Sequence, residues 1–304
     1  MMDYMKFAEK LVEGIKNLEA AKGLEIRLEK EADEDIIYIG VGKQETRILY
    51  MRVFVQRVYE EYQNTGSMEK VLSKIEMSIC NPDKDVIEDS LHNLKDYEKA
   101  KNNLMIRATS SEVAGEQLDQ MIYKKVGDII LAVYYAVHVQ DGHLMSIRIV
   151  KSFAQHWGIS EEAIWNIAME QSAKREEPRL YYMEQLIFNP NYKGETFMNM
   201  DGDVVLEENM FGYCISTADK INGATAIFYP TVAQRLSDLL GGKDLYLVFT
   251  SAHEVMVHTI GSVDLEKLIE IQESMQSEVT EKEDRLSKVI YMYSRENDCI
   301  TVAA

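Results

Sequence analysis

The chain has 304 residues, 46% hydrophobic and 28% charged, enough for one extended domain or two lobes and typical of an ordinary globular protein. With 51 acidic residues against 33 basic ones, its formal net charge is −18, which repels nucleic-acid backbones and anionic membranes. Direct DNA or RNA binding and membrane association are therefore not expected. The charge either faces a basic protein partner, mimics nucleic acid toward a protein that binds it, or serves solubility alone.

Cys80, Cys214 and Cys299 are far apart and form no Cys-x-x-Cys pair, which points to a reducing cytoplasm. The N-terminal stretch MMDYMKFAEKLVEGIKNL lacks the apolar centre of a signal peptide. The longest apolar run, 129–139, is about half the length needed to span a bilayer. A cytoplasmic bacterial protein is expected.

Residues 3–20 read as an amphipathic helix with Phe7, Leu11, Ile15 and Leu18 on one side. A strand follows at 24–31, then a hairpin of 35–41 with 46–51. Two helices are expected at 52–63 and 68–79, separated by Gly66 and started by Ser67. Residues 81–103 read as a charged connection with a short helix, 104–108 as a strand and 112–123 as a helix. Residues 128–139 and 144–150 pair as a hairpin across Asp141-Gly142. A helix at 152–157 ends at Gly158, and Ser160 caps the next. The order strand, helix, glycine break, serine cap, helix occurs at both 46–75 and 145–169, a weak internal duplication.

Residues 176–209 carry Pro178, Pro190, Gly194 and Gly202 with little periodicity, and read as an irregular connection. The expected organisation is α+β: an N-terminal lobe at 1–175 and a C-terminal lobe at 210–304, each a mainly antiparallel sheet covered by helices.

The most clearly patterned stretch is 222–275. Asn222-Gly223 is a hairpin signal, 224–229 a short apolar run expected to be a buried strand, and Pro230 its end. Thr231 and Gln234 have capping-box spacing for a helix that Gly241-Gly242 terminates. Strands are expected at 244–250 and 254–260, a helix from 263, and a closing hairpin of 288–293 with 299–302. The run ATAIFYPTVAQRLSDLLGG, then DLYLVFTSAHEVMVH, resembles an uncharacterised Firmicutes family described as a domain of unknown function. Ser251, His253, Glu254 and Val255 match its Ser-x-His-Glu-Val motif, and HWGISEEAIWNIAMEQ fits the same family. The resemblance implies a fold and no activity.

No complete catalytic motif is present. His253 and His258 are five apart in a β-rich run, where zinc ligation by His-Glu-x-x-His needs i and i+4 on a helix, so no metal is expected. Gly40-Val41-Gly42-Lys43 lacks the rest of a phosphate loop and reads as a tight turn; Asn199, Asp201 and Asp203 lack the calcium-loop glycine and read as a solvated loop. His156, Trp157 and Trp165 read as packing residues rather than a cofactor contact, so no cofactor is expected.

Ser251, His253 and Glu254 are the candidate catalytic residues. Near neighbours on extended chain point apart, which favours a turn capped by Ser251 over a triad. Two functions remain: a non-catalytic interaction or regulatory protein using its acidic surface, ranked first, and a hydrolase-type enzyme with a pocket near these three residues.

Overall fold

The computed structural model describes residues 2–31, 34–44, 47–79, 89–138, 144–189, 192–202, 204–207, 209, 211–278, 280 and 284–303. Among the described residues the chain is α+β with three mainly antiparallel sheets. It divides into two compact units, Met1–Lys95 with Val137–Met145, and Asp96–Ala136 with Ser146–Ala304. Cys80 and the turn 139–143 lie outside the described residues.

In the first unit, Asp3 accepts a hydrogen bond from the Lys6 N–H and starts helix α1 (Tyr4–Asn17). The apolar stripe buries Phe7, Leu11 and Ile15, as the periodicity predicts. Strands β1 (Ile26–Glu31), β2 (Glu34–Gln44) and β3 (Arg47–Phe54) form a three-stranded antiparallel sheet in chain order. Gly40-Val41-Gly42 is not a tight turn but part of β2, where the pairing register shifts between Gly40 and Gly42. Helix α2 (Val55–Thr65) ends at Gly66, φ 67°, and Ser67 Oγ accepts from the Lys70 N–H at the start of α3 (Met68–Ile79). The core joins Phe7, Leu11 and Ile15 to Ile37 and Ile39 of β2 and to Val71 and Ile75 of α3.

In the second unit, β4 (Leu104–Ser110), β6 (Ile129–His138, in this unit as far as Ala136) and β5 (Tyr123–Val126) pair in that order, and β7 (Leu144–Arg148, in this unit from Ser146) also pairs with β6. The helix expected over 112–123 is only one turn, Ser111–Ala114. Gly115, at φ 50°, ends it, and a 3-10 helix leads to Met121, which bridges to Val150. Local pattern lost there to the pairing of this segment with the sheet. Helix α4 (Lys151–Trp157) ends at Gly158, φ 66°, and Ser160 Oγ accepts from the Ala163 N–H to open α5 (Glu161–Arg175). The strand-helix-glycine-serine-helix order is thus present twice, although the two strands enter different sheets.

The outer edge of β4 is closed by side chains rather than by another strand. The Ile106 N–H donates to Ser172 Oγ on α5 at 2.7 Å, and the Ala108 N–H donates to Thr225 Oγ1 at 3.1 Å. Edge donors that would otherwise template a foreign strand are satisfied in this way.

The six-stranded sheet has the order β13 (Cys299–Val302), β12 (Tyr291–Ser294), β10 (Leu245–Val248), β11 (Val255–Thr259), β9 (Tyr213–Thr217), β8 (Pro178–Tyr182). Strand β8 lies inside the stretch expected to be irregular, and its edge is bridged by Glu195 on Leu180. The strands at 244–250 and 254–260 and the closing hairpin match β10, β11, β12 and β13. Helices α6 (Val232–Leu239) and α7 (Leu265–Glu278) follow the predicted pattern, with Gly241 and Gly242 both at positive φ behind α6.

The segment 222–229 corrects the sequence reading. Asn222 does take a left-handed conformation, φ 52°, but the chain then enters a 3-10 helix, Gly223–Phe228, rather than a hairpin strand. A Cβ at Gly223 would lie 2.1 Å from Ser216 Oγ and 2.7 Å from the His253 carbonyl oxygen, so the backbone here presses against β9 and the 251–254 loop. Buried on every side, the short apolar run satisfies its burial without joining a sheet. Thr231 is no capping residue either: it has φ 66° and its side chain makes no cap hydrogen bond.

Candidate functional site

The loop between β10 and β11 carries Ser251, His253 and Glu254, and all three are tied to protein groups. Ser251 Oγ donates to Glu254 Oε1 at 2.5 Å, and Thr250 Oγ1 donates to the same oxygen at 2.9 Å. The Ser251 oxygen in turn accepts the His253 N–H at 2.9 Å. Ser251 therefore closes a turn on the backbone two residues ahead, the behaviour of serine in tight loops.

His253 faces away from Ser251. Its Nδ1 accepts the Asn222 N–H at 3.1 Å, and its Nε2 lies 3.3 Å from Asp284 Oδ2. Nδ1 is then the unprotonated nitrogen and Nε2 carries the hydrogen directed at the carboxylate. The His253 carbonyl accepts from Ser216 Oγ at 2.7 Å, and the Ala252 N–H donates to the Asp284 carbonyl at 2.6 Å. One hairpin loop thus gathers groups from β9, the 3-10 segment and the 284–289 stretch.

A second layer lies behind Asn222. Arg107 on β4 donates from Nη2 to Asn222 Oδ1 at 2.9 Å and from Nη1 to Ser146 Oγ at 2.6 Å, with its guanidinium 5.4 Å from the Tyr134 ring centre. Nearby, the Tyr229 hydroxyl donates to Glu176 Oε2 at 3.0 Å. Burial raises the Glu176 carboxyl above its ordinary value, opposed by the Tyr229 hydrogen bond and by Arg175. Burial likewise pushes the Tyr229 hydroxyl and the Cys214 thiol well up, so both stay neutral.

A triad needs the hydroxyl nucleophile on one imidazole nitrogen and the carboxylate on the other. Here the carboxylate position is filled by Asp284, and the nucleophile position is filled by a backbone N–H. Ser251 and Glu254 are brought together, and His253 is set apart with Asp284 and Asn222. Asp284, Asn222, Ser216 and Arg107 were not singled out as site residues in the sequence. Only the Asn-Gly signal at 222 marked one of them, through its left-handed backbone.

His258, the second histidine of the broken zinc spacing, is 5% exposed in β11, and burial holds its imidazole below the ordinary value. Among the described residues, no three His, Cys, Asp or Glu side chains are grouped to hold a metal ion. Asp203 lies outside the described residues; Asn199 closes a one-turn 3-10 helix, and the Asp201 carbonyl accepts from Arg235. Trp165 is buried under the Lys124 ammonium, and Trp157 packs on Phe153 and Tyr97. Among the described residues, no helix is long and apolar enough to cross a membrane.

No curated protein and no solved structure matches the chain. Residues 4–295 match the model of DUF5688, a family of unknown function, and the chain belongs to that family.

Proposed function

We propose that this chain is a non-catalytic cytoplasmic interaction or regulatory protein whose acidic surface meets a basic protein partner. The observation that carries the reading is the arrangement at 251–254. The Ser251 hydroxyl is held by Glu254, and both ring nitrogens of His253 face groups of the fold, Asn222 and Asp284. A loop whose polar atoms face one another is a structural latch. The net charge of −18 then supplies the recognition chemistry. We also assign the chain a Firmicutes lineage, with Ser251, His253, Glu254 and Val255 as a family signature that preserves this latch.

The test is a tagged capture from host lysate at low and high salt, read by mass spectrometry, followed by titration of the purified partner. A stoichiometric basic protein whose affinity falls steeply with ionic strength supports the reading. No partner at either salt, or binding indifferent to salt, ends it.

The hydrolase reading rests on the His253–Asp284 pair, a histidine–carboxylate contact at 3.3 Å. It requires the Asn222 N–H to leave Nδ1 so that a nucleophile can approach. Turnover of activated esters that Ser251→Ala and His253→Ala both abolish, with the fold intact, would establish it over the interaction reading.

A further inference from the structure

A cavity of about 10 Å³ lies beside β11, lined among others by Asn209, Gly212, Val257, His258 and Ser262. That volume is of the order that admits one water molecule and nothing larger. His258 contributes a ring that is 5% exposed, and its Nε2 has no hydrogen-bond partner among the described residues. Buried polar nitrogens are ordinarily paired, with protein or with ordered water.

Gly212 lets the backbone close directly onto this ring edge. Its φ is 72°, and a Cβ there would lie 2.5 Å from His258 Cε1, 2.7 Å from His258 Nε2 and 2.8 Å from the Val257 carbonyl oxygen. Nε2 and the Val257 oxygen therefore both lie against Gly212, and all three residues line the cavity. Ser262 supplies a third polar atom: its hydroxyl hydrogen goes to the Thr259 carbonyl at 2.8 Å, which leaves the oxygen able to accept. The amide of Asn209 is already engaged, donating to Glu184 and accepting from the Phe211 N–H.

We infer that this cavity is a binding site for one internal water, coordinated by His258 Nε2, the Val257 carbonyl and the Ser262 hydroxyl oxygen. Two of the three protein atoms are acceptors, so the water donates both hydrogens to them and its oxygen accepts from Nε2–H. The site thereby selects the Nε2–H tautomer of a neutral His258. It also ties β11 to the turn carrying Ser262. The inference is independent of the proposed function.

The decisive measurement is a crystal structure of the full chain at a resolution that orders internal waters, with NMR of the ¹⁵N-labelled histidine ring. The expected result is a water oxygen at about 2.7–3.2 Å from Nε2, an Nε2–H tautomer, and a water-to-ring cross-relaxation peak. In Ser262→Ala, occupancy of that water falls and the peak weakens. A dry cavity, an Nε2 bonded directly to a protein acceptor, or an Nδ1–H tautomer overturns the inference. Unchanged water density in Ser262→Ala overturns the assigned coordination. The NMR arm uses the unmodified chain, so neither decision depends on a variant that folds poorly.

Discussion

The backbone N–H of Asn222 donates to Nδ1 of His253 at 3.1 Å, across 31 residues of sequence. Asn222 reaches this position because it adopts a left-handed conformation that asparagine tolerates. The bond orients the imidazole toward Asp284 and away from Ser251. His253→Ala should leave that N–H without its acceptor at a residue only 8% exposed, and cost about 1–3 kcal/mol. Urea denaturation reads the change; an unaltered midpoint would show that the latch contributes nothing.

Gly223 is fixed by space. A methyl group there would meet Ser216 Oγ at 2.1 Å and the Thr217 nitrogen at 2.6 Å, so β9 would have to shift. Gly223→Ala should destabilise the fold by about 1–3 kcal/mol, measured by thermal unfolding. Wild-type stability for this variant would contradict the close approach of the 3-10 segment to β9.

Thr231 offers the opposite case. It is exposed, β-branched and held at φ 66° without a capping bond. Left-handed backbone costs a non-glycine residue about 1–2 kcal/mol. Thr231→Gly should therefore stabilise by about 1 kcal/mol after the entropy of glycine is counted. A loss of stability in chemical denaturation would mean that the side chain makes a contribution outside this account.

Two buried groups give opposite pH dependences. His258 has a folded-state value below its ordinary 6.5, so the unfolded chain binds the proton first as pH falls. Stability from this group is complete above 6.5 and is lost as pH falls through the window beneath it. Glu176 has a folded-state value above its ordinary 4.5, so the folded chain holds the proton longer as pH rises. Its contribution is complete below 4.5 and is lost as pH rises through the folded value. Each slope is at most about 1.4 kcal/mol per pH unit. Glu176→Gln keeps an acceptor for the Tyr229 hydroxyl and should flatten the decline above pH 4.5; His258→Gln should flatten the loss below pH 6.5. Denaturant midpoints across pH 4–8 decide both, and unchanged profiles in the variants would sink the assignment.

The thiols should differ sharply in reactivity. Cys214 is buried with its thiol pushed well up by desolvation, whereas Cys299 is exposed in β13. In a Cys80→Ser background, a thiol reagent should label Cys299 at once and Cys214 only on unfolding. Mass mapping of the labelled sites checks this, and prompt labelling of Cys214 in the native state would refute it.

Much of the fold was legible because the signals are local. The apolar spacing of Phe7, Leu11 and Ile15 predicts α1, and Gly66 with Ser67, like Gly158 with Ser160, predicts a helix end followed by a helix start. A left-handed glycine and a serine oxygen act within one turn, so sequence alone determines them. The turn that Ser251 closes on the His253 N–H is local in the same way. What the tertiary structure decided involves partners far away in the chain. The run 224–229 is apolar enough for a strand, but β9, the His253 carbonyl and the Ala108 N–H fill its surroundings and leave it a 3-10 helix. Asp284 and Arg107 belong to the site through contacts spanning 31 residues, from His253 to Asp284, and 115, from Arg107 to Asn222. No periodicity encodes a hydrogen bond between such residues; only the packed sheet brings them within reach.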